Sequence, residues 1–188
     1  MPWTALGLTF AAGQNPYAAL FLLAVLARSE DVEVSLQTPL TFLSHTAVIG
    51  VLFVLAGAQV FADKHPRWGR YEAMVSAVTR PFCAAAIVLS LLDAAAASVW
   101  LWLAVAVVIA LCSHVLRVAM RRQLAERMAG MGYFLASLTL DSAALITGLL
   151  AILAPVVGAV LGVLMLGGSA VLSFRWRFTA GTSQGTES

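Results

Sequence analysis

The sequence predicts an all-α fold: a polytopic transmembrane helical bundle of about six spans, both termini cytoplasmic, with the first span broken at Gly13-Pro16. Three observations predict it. Hydrophobic residues make up 61% of the chain and charged ones only 11%, where a soluble domain carries roughly a quarter charged. Mean hydropathy is +0.93. The apolar residues fall in runs that suffice for five or six crossings at about 20 residues each, and most charges collect between the runs. Almost nothing is left for an extramembrane domain, so a separate soluble catalytic domain is excluded and a nucleic-acid partner is not expected.

Residues 3–26 form the first run, with Gly13-Gln14-Asn15-Pro16 at its middle. Proline removes a backbone donor and clashes with the carbonyl four residues back. Gln14 and Asn15 place amides near the bilayer midplane, where each needs a partner. The helix is therefore expected to break there. Arg28 to Pro39 is polar and acidic and reads as an exposed loop. The second span covers about 41–62, with Gly50 and Gly57 offering close helix contact. Asp63-Lys64-His65-Pro66 makes a turn, and about 72–92 is the third span, carrying Arg80-Pro81. After Asp93, residues 97–116 form the fourth span, which runs into an amphipathic basic connector from Arg117 to Arg127. The fifth span, 131–153, holds Asp141, and the sixth, 156–174, holds Gly158-xxx-Gly162, a small-residue packing pattern that also offers a dimerisation face.

Residues 1–178 thus read as one membrane domain, and 179–188 as a disordered polar tail. The N-terminal run has no Lys or Arg ahead of it, unlike a cleavable signal peptide, and is expected to be mature protein. Six spans place Lys64, Arg67, Arg70, Arg117, Arg121, Arg122, Arg127, Arg175 and Arg177 on one side. Arg28, Glu30, Asp31, Glu33 and Asp93 fall on the other. Basic residues near span ends mark the cytoplasmic side. Three spans per half would make any internal repeat an inverted one.

The residues that could carry chemistry are few. Asp141 lies on the order of 12 Å inside its span at 1.5 Å per residue, and Arg80 lies at a similar depth. Inserting either charge alone costs roughly 2.5 to 3.5 kcal/mol, which predicts that the two pair or face one aqueous cavity. Asp63 and Lys64 at a span end, and Gln14 and Asn15 at midplane, complete a candidate polar pathway or binding site. Each also has a plainer reading in helix packing or interfacial solvation. Arg117, Arg121, Arg122 and Arg127 fit contact with anionic lipid headgroups. His45, His65 and His114 sit at three depths and make no metal site. Cys83 and Cys112 lie in apolar runs and read as small buried hydrophobes.

The order Gly13-Gln-Asn-Pro-Tyr, then Gln59-Val-Phe-Ala-Asp63-Lys64-His-Pro66, then Arg80-Pro81, and a late Ser137-xxx-Asp141 ahead of Ala154-Pro155, resembles the bacterial membrane family catalogued as domain of unknown function 4126. The resemblance covers about residues 7–174. The chain departs from the family pattern at Gln59, where the pattern has Glu, after Asp63, where it reads Trp-Gly-Arg, and around Asp141. The resemblance implies an integral membrane protein without an assigned reaction.

No HExxH, GxSxG or Walker-type loop is present, and no paired carboxylates suit a metal-dependent lipid phosphotransferase, so neither an enzyme nor a cofactor is expected. The expected function is a small transporter- or channel-like protein of the bacterial cytoplasmic membrane, forming a homo-oligomer and binding or moving a small solute, ion or lipid headgroup. The alternative is a non-transporting scaffold or accessory subunit whose polar residues only fix helix packing. An intramembrane lipid-modifying enzyme is a third reading.

Overall fold

The computed structural model of the chain describes residues 2–29, 36–64, 68–93, 95–127 and 131–182. Among these residues the fold is all helical. Its α-helices are α1 (Pro2–Gln14), α2 (Pro16–Leu26), α3 (Thr46–Lys64), α4 (Trp68–Leu91), α5 (Val99–Arg127), α6 (Met131–Leu153) and α7 (Pro155–Thr182), with a 3₁₀ turn at Leu40–Ser44 before α3. Three stretches are long and apolar enough to cross a membrane: Tyr71–Leu91, Val99–Leu124 and Pro155–Phe174. Shorter apolar stretches are Pro16–Leu26, Thr46–Ala62 and Leu138–Leu153. The outward faces carry large apolar side chains, among them Phe61 (79% exposed), Phe82 (71%) and Trp100 (70%). Soluble proteins rarely expose contiguous apolar surface on this scale, and lipid is the solvent that suits it.

The first apolar run breaks where expected, and its two arms fold back on each other. Asn15 leaves the helix at φ −142°, ψ 100°, accepts a hydrogen bond from the Ala18 N–H on its side chain, and hands over to Pro16 at the first position of α2. Proline is suited to that position because the N–H it lacks has no helical acceptor there. Both arms then return to the same level of α6: a β-carbon on Gly148 would lie 3.2 Å from Ala11 of α1 and 3.1 Å from Leu22 of α2. On the same arm, Phe21 meets Phe53 of α3 at 5.6 Å between ring centroids, and beyond the end of α2 Arg28 bonds Thr46 at the start of α3. The pair is a helical hairpin with Asn15 at its tip. At 1.5 Å per residue, α1 is about 20 Å long and α2 about 17 Å, each short of a hydrocarbon core of about 30 Å.

The hairpin moves the N-terminal end. α1 runs parallel to α7, since Gly7 packs beside Gly158 and Ala159 while Phe10 packs beside Gly162. Pro2 and Thr182 therefore lie at opposite ends of the bundle, not together as six crossings require. Counting apolar residues could not reveal this, because a hairpin of two half-length helices and one kinked span have the same length and composition.

α1 is the central element. It packs against α4, α5, α6 and α7 as well as α2, and every residue from Thr4 to Gly13 except Leu6 is buried. A helix enclosed on all sides needs close approach by its neighbours, and small residues allow it. A β-carbon on Gly13 would lie 2.4 Å from Ser113 Cβ, one on Gly7 2.5 Å from Ala151 Cβ, and one on Gly158 2.3 Å from the Ala151 backbone. The Gly158-xxx-Gly162 face is thus occupied inside the chain, against α6 and α1, and is not free to form a dimer. Gly158→Ala is expected to destabilise the protein by about 1–3 kcal/mol through overpacking. Gly57→Ala, with no atom within 4 Å of the added carbon, should be neutral or slightly stabilising because alanine favours the helix. Unfolding in mild detergent compares the two, and equal effects would contradict the packing described.

Two further boundaries differ from expectation. The basic segment from Arg117 to Arg127 is no connector but the continuation of α5, and α7 runs to Thr182, through the first residues of the expected tail. In both places a polar sequence extends a helix that is already nucleated by its apolar part, where adding a residue costs little. The acidic residues Glu30, Asp31 and Glu33, and the His65-Pro66 turn, lie outside the described residues.

Candidate functional site

The candidate site begins with two stripes. Glu72, Ser76 and Arg80 recur every four residues on α4, and His114, Arg117 and Arg121 recur at three and four on α5, so each set shares a helix face. The two helices pack antiparallel, with Arg80 at the level of His114 and Glu72 at the level of Arg121. Pro81 within α4 leaves the carbonyl four residues earlier without its helical donor.

Glu72 is the hub of the first half. Its side chain is 7% exposed, and four donors converge on it: Gln59 Nε2 of α3 at 3.0 Å, the Ser76 hydroxyl, Arg80 Nη2 at 3.5 Å, and Arg121 Nη1 at 3.6 Å. Gln59 Nε2 also donates to Ser76 Oγ at 3.2 Å. Arg80, only 1% exposed, places Nη1 against His114 Nδ1. A guanidinium has no acceptor, so Nδ1 must accept, which requires a neutral ring with its proton on Nε2. A carboxylate in so apolar a setting holds its charge only where several donors satisfy it, as they do here.

The second half surrounds Arg117. Its Nη2 donates to Asp141 Oδ1 of α6 at 2.5 Å and its Nη1 to Gln14 Oε1 at 3.1 Å. Arg117 and Asp141 are both buried, and Gln14 is half-buried. The hairpin tip is thereby fastened to an ion pair between α5 and α6. Beside it, Ser113 is fully buried with its hydroxyl unbonded, against Gly13. Taken together, the two halves share one face of α5 and form a polar belt that draws on α1, α3, α4, α5 and α6. Such a belt can hold a polar or charged group within apolar surroundings and can exchange hydrogen bonds with it.

The expected Arg80–Asp141 pair does not form. Arg80 bonds Glu72 and His114, and Asp141 bonds Arg117. Depth along the sequence matched Arg80 with Asp141, but depth does not fix direction around a helix. Arg117, expected among lipid headgroups, is turned inward; Arg121 is engaged with Glu72 at 14% exposure, and Arg122 is exposed. Arg127, Asp63 and Lys64 have helical backbones, and their side chains lie outside the described residues. Asn15 is buried and caps α2. Cys83 is buried as expected, whereas Cys112 is exposed on the apolar outside.

Sequence reasoning missed Glu72, Ser76, Gln59 and His114. The usable signal was the four-residue recurrence Glu72-xxx-Ser76-xxx-Arg80 on an otherwise apolar helix, matched by His114-xx-Arg117-xxx-Arg121. Among the described residues, no group of three or more His, Cys, Asp or Glu side chains could hold a metal ion.

No curated protein and no solved structure matches this chain. One family model does, over residues 3–175, which takes in every element of the hairpin and the polar belt. The chain belongs to the family described as domain of unknown function (DUF4126).

Proposed function

We propose that this is a small transporter- or channel-like protein of the bacterial cytoplasmic membrane, with an intramembrane polar site for a small solute, ion or lipid headgroup. On this reading α3 to α7 make five crossings, the basic end of the bundle faces the cytoplasm, and no chemical reaction is involved. Gln14, Arg117, Asp141, Arg80 and Glu72 line the site. Membrane lipids are the surrounding partners.

The observation that carries the reading is the hairpin tip, a break in helical structure tied to a buried ion pair. Irregular backbone at membrane depth is tolerated where it is buried in protein or lines a cavity, and discontinuous helices form substrate sites in many transporters. A specific observation also favours a scaffold: Glu72 is satisfied by side chains of three helices, as a purely structural clamp would be.

Thiol accessibility separates the two. In a Cys83→Ser, Cys112→Ser background, single cysteines at positions 14 and 141 are probed from each side with a membrane-impermeant reagent, with position 87, fully buried in the apolar core, as control. The expected outcome is labelling at 14 and 141 and protection at 87. Protection at all three in folded protein would support the scaffold instead.

A further inference from the structure

A second polar site lies at the opposite end of the bundle from the basic end, where α2 finishes and α3 begins. An open pocket of about 390 Å³ is lined by Arg28, Thr41, Phe42, Ser44, His45 and Thr46, a volume within the roughly 300–1,000 Å³ range of small-molecule sites. Its polar groups are a guanidinium, an imidazole and three hydroxyls, and the lining holds no carboxylate among the described residues. Arg28 Nη1 donates to Thr46 Oγ1 at 2.5 Å, which holds the guanidinium over the pocket while its other N–H groups stay available. Thr46 accepts that bond and keeps its own proton to donate. Ser44 donates to the Thr41 carbonyl at 2.8 Å, leaving its oxygen as acceptor and fixing the 3₁₀ turn. Among the described residues no carboxylate pairs with Arg28.

A guanidinium with convergent hydroxyl donors is the chemistry that recognises a phosphate. The lining includes one large apolar side chain, Phe42, 55% exposed. We propose that this pocket binds a phosphate-bearing anion, with Arg28 as the charged contact and Thr41 and Thr46 as hydroxyl donors. The phosphate comes either from a phospholipid headgroup, whose acyl chains would lie along the apolar face, or from a free phosphate.

The test uses the full chain purified in detergent, with two probes: inorganic phosphate, read by thermal shift, and anionic phospholipid, read by native mass spectrometry of retained lipid against a zwitterionic competitor. Variants are Arg28→Gln, Arg28→Lys and, as a control for general charge, Arg122→Gln at the other end of the bundle. The expected result is that Arg28→Gln weakens binding of one probe about tenfold or more, that Arg28→Lys weakens it less, and that Arg122→Gln leaves it unchanged. An effect on phosphate identifies a free-anion site, and an effect on lipid alone identifies a headgroup site. If neither probe binds, or if Arg122→Gln weakens binding as much as Arg28→Gln, the proposal is overturned. Arg28 is exposed, so loss of fold does not obscure the result.

Discussion

Glu72→Gln is expected to lower the stability of the protein by about 3 kcal/mol or more, because it breaks buried ion pairs by removing one partner. The substitution keeps the size and much of the shape of the side chain. It takes away the charge toward which Arg80 and Arg121 both donate and replaces one acceptor oxygen with a donor nitrogen. That nitrogen would face Gln59 Nε2, the Ser76 hydroxyl or a guanidinium, all of which donate to the carboxylate now. Ser76→Ala removes one neutral donor from the same carboxylate and should cost only about 1 kcal/mol. Denaturant titration in mixed micelles ranks the pair. If Glu72→Gln and Ser76→Ala are equally mild, Glu72 is not the hub that its contacts describe.

The membrane character of the chain was legible because it depends on composition, which survives any arrangement of the helices. The break at Asn15 was legible too, since proline and a capping asparagine act locally. What escaped was direction. One extended residue at Asn15 can yield a kinked span or a hairpin, and the choice is made by packing: Gly7 sits against Ala151 of α6 and Ala159 of α7, and Phe10 against Gly162, so α1 packs on both helices and runs with α7. No single segment of sequence contains that information.

The polar belt was half legible for a related reason. Arg80, Asp141 and Gln14 stood out because each is polar inside an apolar run. Glu72 and Arg117 did not, since each sits where an apolar run gives way to charged sequence, and a charge at such a border ordinarily reaches water. Here the helices α4 and α5 extend past the apolar run, so their border charges face each other across a packed interface. Partner choice then follows from helix face rather than depth, and Asp141 is paired with Arg117, 24 residues away.

The Arg117–Asp141 pair offers the second large effect. Arg117→Met and Asp141→Leu are each expected to cost about 3–5 kcal/mol, since each leaves the other charge buried without the bond described. The double substitution should cost far less than the sum, because neither member of the pair is left facing the other's absence and the apolar replacements can pack. Contacting residues in one network couple in this way. The double variant also bears on function, because it removes the anchor of the hairpin tip while keeping the bundle folded. If the pair only clamps α5 to α6, a cysteine at position 17, half-buried just past the tip, should keep the labelling it shows in the parent. If the pair holds the tip in a polar site, labelling at position 17 should change in rate or in the side from which it occurs. Strict additivity of the two single costs would instead show that Arg117 and Asp141 do not share the bond at 2.5 Å.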